Sequence, residues 1–341
     1  MVQPAHTKEG TSNVTRSLRT ILAALAALVF ALAVGACGSD DDDGGGGGGG
    51  GGDTATETIK KDPAAAGKTI TVGSKNFTEQ FILGEIYSQA LEAAGFKVKK
   101  ELNLGSEQIA YKALKAGQID GYPEYTGTSL TSFFDVKTKD VPRDPDQAYE
   151  QARRNYAKEG ITALPRTSFE NKYVVTTTKA KQKDLLKGAT TLSDVAELPN
   201  ADKLRIAGFP ECRQRSDCFQ GLRQLYGFDP KFISTTGKYE PLDGDQTDLN
   251  LGSFSTDGQL TLNKYAVLED DKKLFPPYNI SFGIRDEALK TIGPEGQAVL
   301  ERVQKPLTLE AMQELNSRVD LDKQKPAKVA ADYLKEEGFT K

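Results

Sequence analysis

TITVGSKNFTEQFILGEIYSQALEAAG, residues 69–95, holds one complete strand-to-helix unit, and its reading decides the fold. TITV is a run of β-formers. From Thr78 onward Ile82, Leu83, Ile86, Tyr87, Ala90, Leu91 and Ala94 recur at helical spacing, and Gly95 supplies the stop. The alternation continues: FKVKKEL reads as a second strand, SEQIAYKALKAG as a second helix ended by glycine, and IDGYPEY as a third strand. Strand and helix in strict turn predict an α/β chain with a parallel sheet and crossover helices. The middle repeats the style in YVVTTT, TTLSDVAEL, LRIAGF, FQGLRQLYGF and KFIST, then returns through KYAVLED and NISFGI. From Gly293 the tail is mainly helical. Two α/β units plus a helical tail predict a bilobed molecule. Open sheets bind ligands where strands lead into helices, and GSKNFTEQF occupies such a turn.

The N-terminus adds a location. Lys8, Arg16 and Arg19 precede the apolar run Ile21 to Val34, and Val34-Gly35-Ala36-Cys37 follows. This is the pattern of a lipoprotein signal over residues 1–36, with a lipid expected on Cys37 that tethers the mature chain to the outer face of a membrane. The run is too short to span a bilayer comfortably. Four aspartates, Asp40 to Asp43, and nine glycines, Gly44 to Gly52, then bury nothing. Residues 37–66 are therefore expected to be a flexible leash.

Charge and residue counts exclude several function classes. The formal charge of −4 becomes −6 when the signal's three cations and one anion are removed, and no basic stripe stands out, so nucleic acid is excluded as a partner. The single histidine, His6, lies in the signal. The mature chain thus lacks a Ser-His-Asp triad, a Cys-His pair and any His metal ligand, and no cofactor or metal is expected. Cys212 and Cys218 remain, either bridged or as two free thiols; an oxidising compartment favours the bridge.

Three stretches could carry chemistry. Lys75, in the turn ahead of the first helix, offers a positive charge beside free helix-start N–H groups, a setting for an anion; alternatively it is a solvated lysine with Asn76 or Thr78 as a cap. Tyr125 and Thr128 in PEYTGT, at a strand end, could present a ring face and a hydroxyl to a cleft. Arg215, in CRQRSDC ahead of a helix, could grip a carboxylate with its fork.

Taken in order, GSKNFTEQFILGEI, EYTGT, PECRQRSDCFQGLRQLYGF, FSTDG and LEDDKKLFPPY resemble the substrate-binding proteins of osmoprotectant ABC importers, which take up glycine betaine, choline and related quaternary amines. The resemblance implies the type II periplasmic-binding-protein fold: two lobes, each a mostly parallel sheet flanked by helices, with a helical C-terminal tail. Residues 67–172 and 276–341 would form one lobe and 173–275 the other, closing over a ligand. It further implies an aromatic cage for the trimethylammonium group, carried here by Tyr125, Tyr173, Phe254 and Tyr278, and a carboxylate clamp of Lys75, Thr128 and Arg215. The implied partners are a small quaternary amine and an ABC permease with its ATPase, the protein itself being a monomer. Phe254 stands where many relatives have tyrosine. The segment EPLDGDQTDLNLGS is too short for the helix that relatives place before the TDG turn, so the second lobe is expected to be trimmed there.

The cage agrees with elementary chemistry. A quaternary ammonium has no N–H to donate, whereas ring faces within about 6 Å attract it and exclude water. With no tryptophan in the chain, the rings must be tyrosine and phenylalanine. On this reading Lys75 and Arg215 face nothing negative until a zwitterion arrives, which favours glycine betaine over choline. An amino-acid receptor of the same fold would need carboxylates where the rings are. An extracytoplasmic enzyme would need a nucleophile–base–orienter set that the sequence does not supply.

Overall fold

The computed structural model describes residues 57–341; the expected signal, Cys37 and the glycine run lie outside the described residues. Among the described residues, ten strands form two five-stranded sheets. The first contains β1 (Thr69–Gly73), β2 (Lys97–Glu101), β3 (Gly121–Tyr125), β4 (Ile161–Ala163) and β10 (Ile280–Arg285), in the order β2-β1-β3-β10-β4. The second contains β5 (Tyr173–Thr178), β6 (Arg205–Gly208), β7 (Lys231–Ser234), β8 (Leu249–Phe254) and β9 (Tyr265–Leu268), in the order β7-β6-β8-β5-β9. In each sheet the strands joined through helices pair in parallel, β1 with β2 and β3, and β6 with β7 and β8. The strand that arrives from the other sheet, β10 or β5, inserts antiparallel.

Helix α1 (Thr78–Ala93) buries the apolar positions that its spacing predicted, Ile82, Leu83, Ile86, Tyr87, Ala90 and Leu91. It also buries Gly84, where a Cβ would come within 2.7 Å of Leu102. It is enclosed because three C-terminal helices pack around it: α4 (Asp286–Gln304), α5 (Leu309–Asp320) and α6 (Pro326–Glu336), with the shorter α2 (Glu107–Lys115) and α3 (Pro145–Ala157) placed elsewhere on the first sheet. The tail begins seven residues earlier than its sequence suggested, since α4 starts at Asp286 and kinks at Gly293, where φ is +68°.

Residues 57–66, expected as the end of the leash, pack against the fold. Ile59 and Ala65 are buried, Ile59 N–H donates to Phe339 O at 2.8 Å, and Asp62 N–H donates to Ala94 O at 2.8 Å. The physical reason is local: Asp62 caps the turn Pro63–Ala65, and its two apolar residues find the groove beside α1 and the chain's end.

Pro123 sits inside β3, a central strand, where proline normally removes a ladder bond. Here β1 pairs with β3 only at Val72–Gly121, so past Gly121 that flank of β3 faces the β1–α1 turn rather than a strand. Gln80 Nε2 donates to the Pro123 carbonyl at 2.9 Å instead. The gap this leaves at the carboxyl ends of β1 and β3 is where the cleft opens.

Two crossover segments connect the sheets, residues 164–172 and 269–279, and they run side by side. Glu170 and Asn279 form an isolated antiparallel bridge, Asn171 N–H donates to Tyr278 O at 3.0 Å, and Asn279 Nδ2 donates to Phe169 O at 3.0 Å.

Candidate functional site

A cleft of about 350 Å³ lies between the sheets. Its wall on the first sheet comes from the β1–α1 turn. Lys75 N–H donates to Gln80 Oε1 at 3.0 Å, which folds the turn back on the helix, and Phe77 starts α1 without a side-chain cap. Thr78, a possible cap from sequence, instead donates its hydroxyl to Asp320 Oδ1 at 2.5 Å. β3 contributes Tyr125, and the single helical turn Thr126–Thr128 that follows contributes Thr128. The crossovers contribute Asn171 and Tyr278, with Tyr173 at the first residue of β5. From the second sheet come Phe209, Arg215 and Phe254. All seven residues carried over as ligand-binding, Lys75, Tyr125, Thr128, Tyr173, Arg215, Phe254 and Tyr278, line this one cleft, although they span more than 200 positions of sequence.

The aromatic rings pack as a connected group. Phe254 lies 4.9 Å from Tyr173, and Tyr173 meets Tyr278 edge-on at 5.8 Å. Two further rings were not foreseen: Phe77 stacks on Phe254 at 5.7 Å and Phe209 at 6.3 Å. Phe77 was legible as an apolar residue inside GSKNFTEQ, at a helix start where a polar cap is usual. Phe209 carried no signal beyond preceding PE.

Within EPLDGDQTDLNLGS one turn of helix forms, Glu240–Asp243. Phe254 is held from that side, its N–H donating to Asp257 Oδ2 at 2.8 Å. Asp257 also accepts the Tyr239 hydroxyl at 3.1 Å and pairs with Lys238, whose Nζ stands 5.1 Å from the Phe254 ring centre. Gly258 of the TDG turn is required by packing, since a Cβ there would lie 2.5 Å from the Ser317 backbone in α5.

The two candidate clamp cations are already paired, contrary to the expectation that they face nothing negative. Lys75 is buried, forms an ion pair with Glu124, and stands 4.4 Å from the centre of the Tyr125 ring. Arg215 does grip a carboxylate in fork geometry, but it belongs to its own loop: Nε and Nη2 donate to Asp217 at 2.9 and 2.6 Å. Nη1 donates across the cleft to Glu107 of α2 at 3.0 Å. Asp217 additionally accepts the hydroxyls of Tyr278 at 2.6 Å and Thr131 at 3.2 Å. Burial opposes the Asp217 charge, yet Arg215 and these donors outweigh it and hold the carboxyl below its ordinary pKa. Glu124 and Glu107 were invisible to pattern reading because they act across long separations, 49 residues for Lys75–Glu124 and 108 for Arg215–Glu107, whereas Asp217, two residues from Arg215, reads as an ordinary loop acid.

Cys212 and Cys218 are bonded, with Cα atoms 5.3 Å apart, which closes the loop carrying Arg215 and Asp217. Behind the first wall, Glu79 accepts the Tyr125 hydroxyl at 2.7 Å and Asn171 Nδ2 at 2.9 Å. Burial raises its carboxyl pKa, while donors from Thr256, Tyr125, Asn171 and Asn316 pull it back.

Gly127 of EYTGT has a steric duty here. A Cβ at that position would fall 2.7 Å from the Pro277 carbonyl and 2.8 Å from the Tyr278 ring. Gly127→Ala is expected to destabilise the protein by about 1–3 kcal/mol, read from urea denaturation; an unchanged midpoint would mean the crossover yields freely.

Residues 68–336 match the family model for the substrate binding domain of ABC-type glycine betaine transport systems. The chain is 33% identical over 285 residues to the glycine-betaine-binding protein of Pseudomonas aeruginosa, covering 80% of this chain and 89% of that protein. It is 31% identical over 278 residues to the ergothioneine transport permease/ergothioneine binding protein of Helicobacter pylori, covering 80% of this chain and 48% of that protein, so it spans about half of this second relative's length. A crystal structure of a glycine betaine/carnitine/choline ABC transporter superposes with a TM-score of 0.64 at 27% identity, covering 79% of this chain and 99% of that one.

Proposed function

The chain belongs to the family of substrate-binding domains of ABC-type glycine betaine transport systems, and from that premise we propose that it captures a quaternary-amine osmoprotectant of the glycine betaine type outside the cytoplasm and delivers it to the permease of its importer. It is a binding protein rather than an enzyme. The observation that carries the reading is the convergence of Tyr125, Tyr173, Phe254 and Tyr278 with Lys75, Thr128 and Arg215 around one cleft. Rings attract a cation that cannot hydrogen-bond, and Phe77 and Phe209 extend that apolar, electron-rich wall. Lys75, Thr128 and Arg215 then offer polar contacts to a carboxylate.

In this reading residues 67–172 and 276–341 act as one lobe and 173–275 as the other. The protein works as a monomer held to the outer face of the membrane by a lipid on Cys37, after removal of residues 1–36. Palmitate labelling that disappears in Cys37→Ser tests the anchor.

A second reading, an amine without a carboxylate such as choline, is favoured by one observation: Lys75 already faces Glu124, and Arg215 already faces Asp217 and Glu107. Calorimetric titration of the purified protein with glycine betaine, choline, carnitine and proline separates the two. Tight betaine with weak choline is the expected result. Choline binding best would favour the second reading, and no heat from any of the four would return the cleft to an amino-acid ligand.

A further inference from the structure

Four acids around the cleft face a cation: Glu124 faces Lys75, Glu107 and Asp217 face Arg215, and Asp257 faces Lys238. Glu79 is as deeply buried, at 2% exposure, yet it makes no ion pair among the described residues. Its oxygens meet neutral donors instead. Oε1 accepts the Tyr125 hydroxyl at 2.7 Å and Asn171 Nδ2 at 2.9 Å, and Oε2 accepts Asn316 Nδ2 at 3.4 Å. Burial raises its carboxyl pKa, and these donors, together with any cation that arrives, favour the ionised form. Neutral dipoles satisfy its lone pairs but leave its charge unneutralised, which is costly in a buried position unless a counter-charge arrives.

Two of those donors belong to residues that line the cleft, Tyr125 and Asn171. A phenol that donates to an anion becomes more electron-rich, so its ring attracts a cation more strongly. The anion's own field also reaches the cleft through a region that excludes water. Gln80 Nε2, 3.2 Å from the Tyr125 oxygen, keeps that ring in register with Glu79.

We propose that Glu79 is a specificity-determining residue of the cleft: standing behind Tyr125 and Asn171, its charge selects a permanently cationic head group over an uncharged group of the same shape. The inference rests on the quaternary-amine reading. Glu79 does not touch the ligand; it positions Tyr125 and supplies the counter-charge.

The test uses a matched pair of ligands, glycine betaine and tert-butylacetate, which keeps the carboxylate and replaces the quaternary nitrogen by carbon. Both are titrated into the wild-type chain and Glu79→Gln, a variant that keeps the shape and an acceptor oxygen but not the charge. The expected result is betaine affinity lower by about tenfold, the size of one charge–charge interaction across a partly screened site. Tert-butylacetate affinity should stay unchanged or improve, and the ligand-free variant should melt no lower than wild type, since an unpaired buried charge has been removed. Equal weakening of both ligands would mean a merely structural role and overturn the proposal, as would an unchanged ratio. Glu79→Asp retains the charge and should retain the wild-type ratio. If the glutamine variant does not fold, a folded Glu79→Asp that loses the ratio overturns the proposal in its place, and one that keeps it supports it. A wild-type chain that binds no quaternary amine would defeat the quaternary-amine reading itself, an outcome distinct from betaine binding that ignores Glu79.

Discussion

Arg215→Ala is expected to lower the stability of the ligand-free protein by about 3–5 kcal/mol, the range for removing one partner of a buried ion pair, and to weaken betaine binding with it. The cause is less the lost arginine than the stranded acid. Asp217, 1% exposed, would keep only the hydroxyls of Tyr278 and Thr131 against the cost of burial. Glu107 would lose its partner across the cleft at the same time. Urea denaturation reads the loss, and Asp217→Asn in the same chain should recover part of it by removing the stranded charge. A wild-type midpoint for Arg215→Ala would show that the pair adds nothing. The pH dependence has a definite sign. Asp217's folded pKa is lowered, so the pair's contribution is present above the unfolded value of about 3.9 and is lost as pH falls through the lower folded one. In Arg215→Ala the burial cost is opposed only by those hydroxyls, protonation relieves it, and the gap to wild type should narrow on acidification.

Tyr173→Ala should have the second large effect, on binding first. Tyr173 sits at the centre of the aromatic group, 4.9 Å from Phe254, 5.8 Å from Tyr278 and 6.0 Å from Phe275. Removing one desolvated ring face is worth about 1–2 kcal/mol to a bound cation, or about a tenfold rise in Kd. The void would also destabilise the fold by roughly 3–5 kcal/mol, as truncation of a buried aromatic generally does. Tyr173→Phe separates ring from hydroxyl. The Tyr173 hydroxyl makes no hydrogen bond among the described residues, so the phenylalanine variant should bind like wild type. A Tyr173→Phe loss as large as that of alanine would mean the hydroxyl, and not the ring face, meets the ligand.

Strand–helix alternation was legible from residue 69 onward because each unit is local: TITV, the spacing of Ile82 to Leu91 and the stop at Gly95 all act within one turn of chain. The candidate residues were legible by resemblance, and all seven reach one cleft. Their electrostatic setting was not. Lys75 and Arg215 read as free cations, because their partners Glu124 and Glu107 lie on other elements and Asp217 reads as an ordinary loop acid. The role of Glu79 was hidden inside the motif itself, since its partners Tyr125, Asn171 and Asn316 are 46, 92 and 237 residues away. The leash boundary erred for a related reason: Ile59 looks like part of a polar tail until Phe339, at the far end of the chain, supplies its backbone partner.

The paired crossovers have a mechanical consequence. Tyr173 and Tyr278 sit at their ends, so any rotation of one sheet against the other about these two segments leaves that pair of rings almost on the pivot. Lys75 and Tyr125 would travel on one lever arm, and Arg215 and Phe254 on the other. The cleft would thus come apart unevenly: the Glu107–Arg215 bond, which joins the two arms, would part while the rings at the axis keep their spacing. A ligand's cationic head would meet a preassembled aromatic corner first, and Lys75 and Arg215 would engage its carboxylate only as the arms swing in.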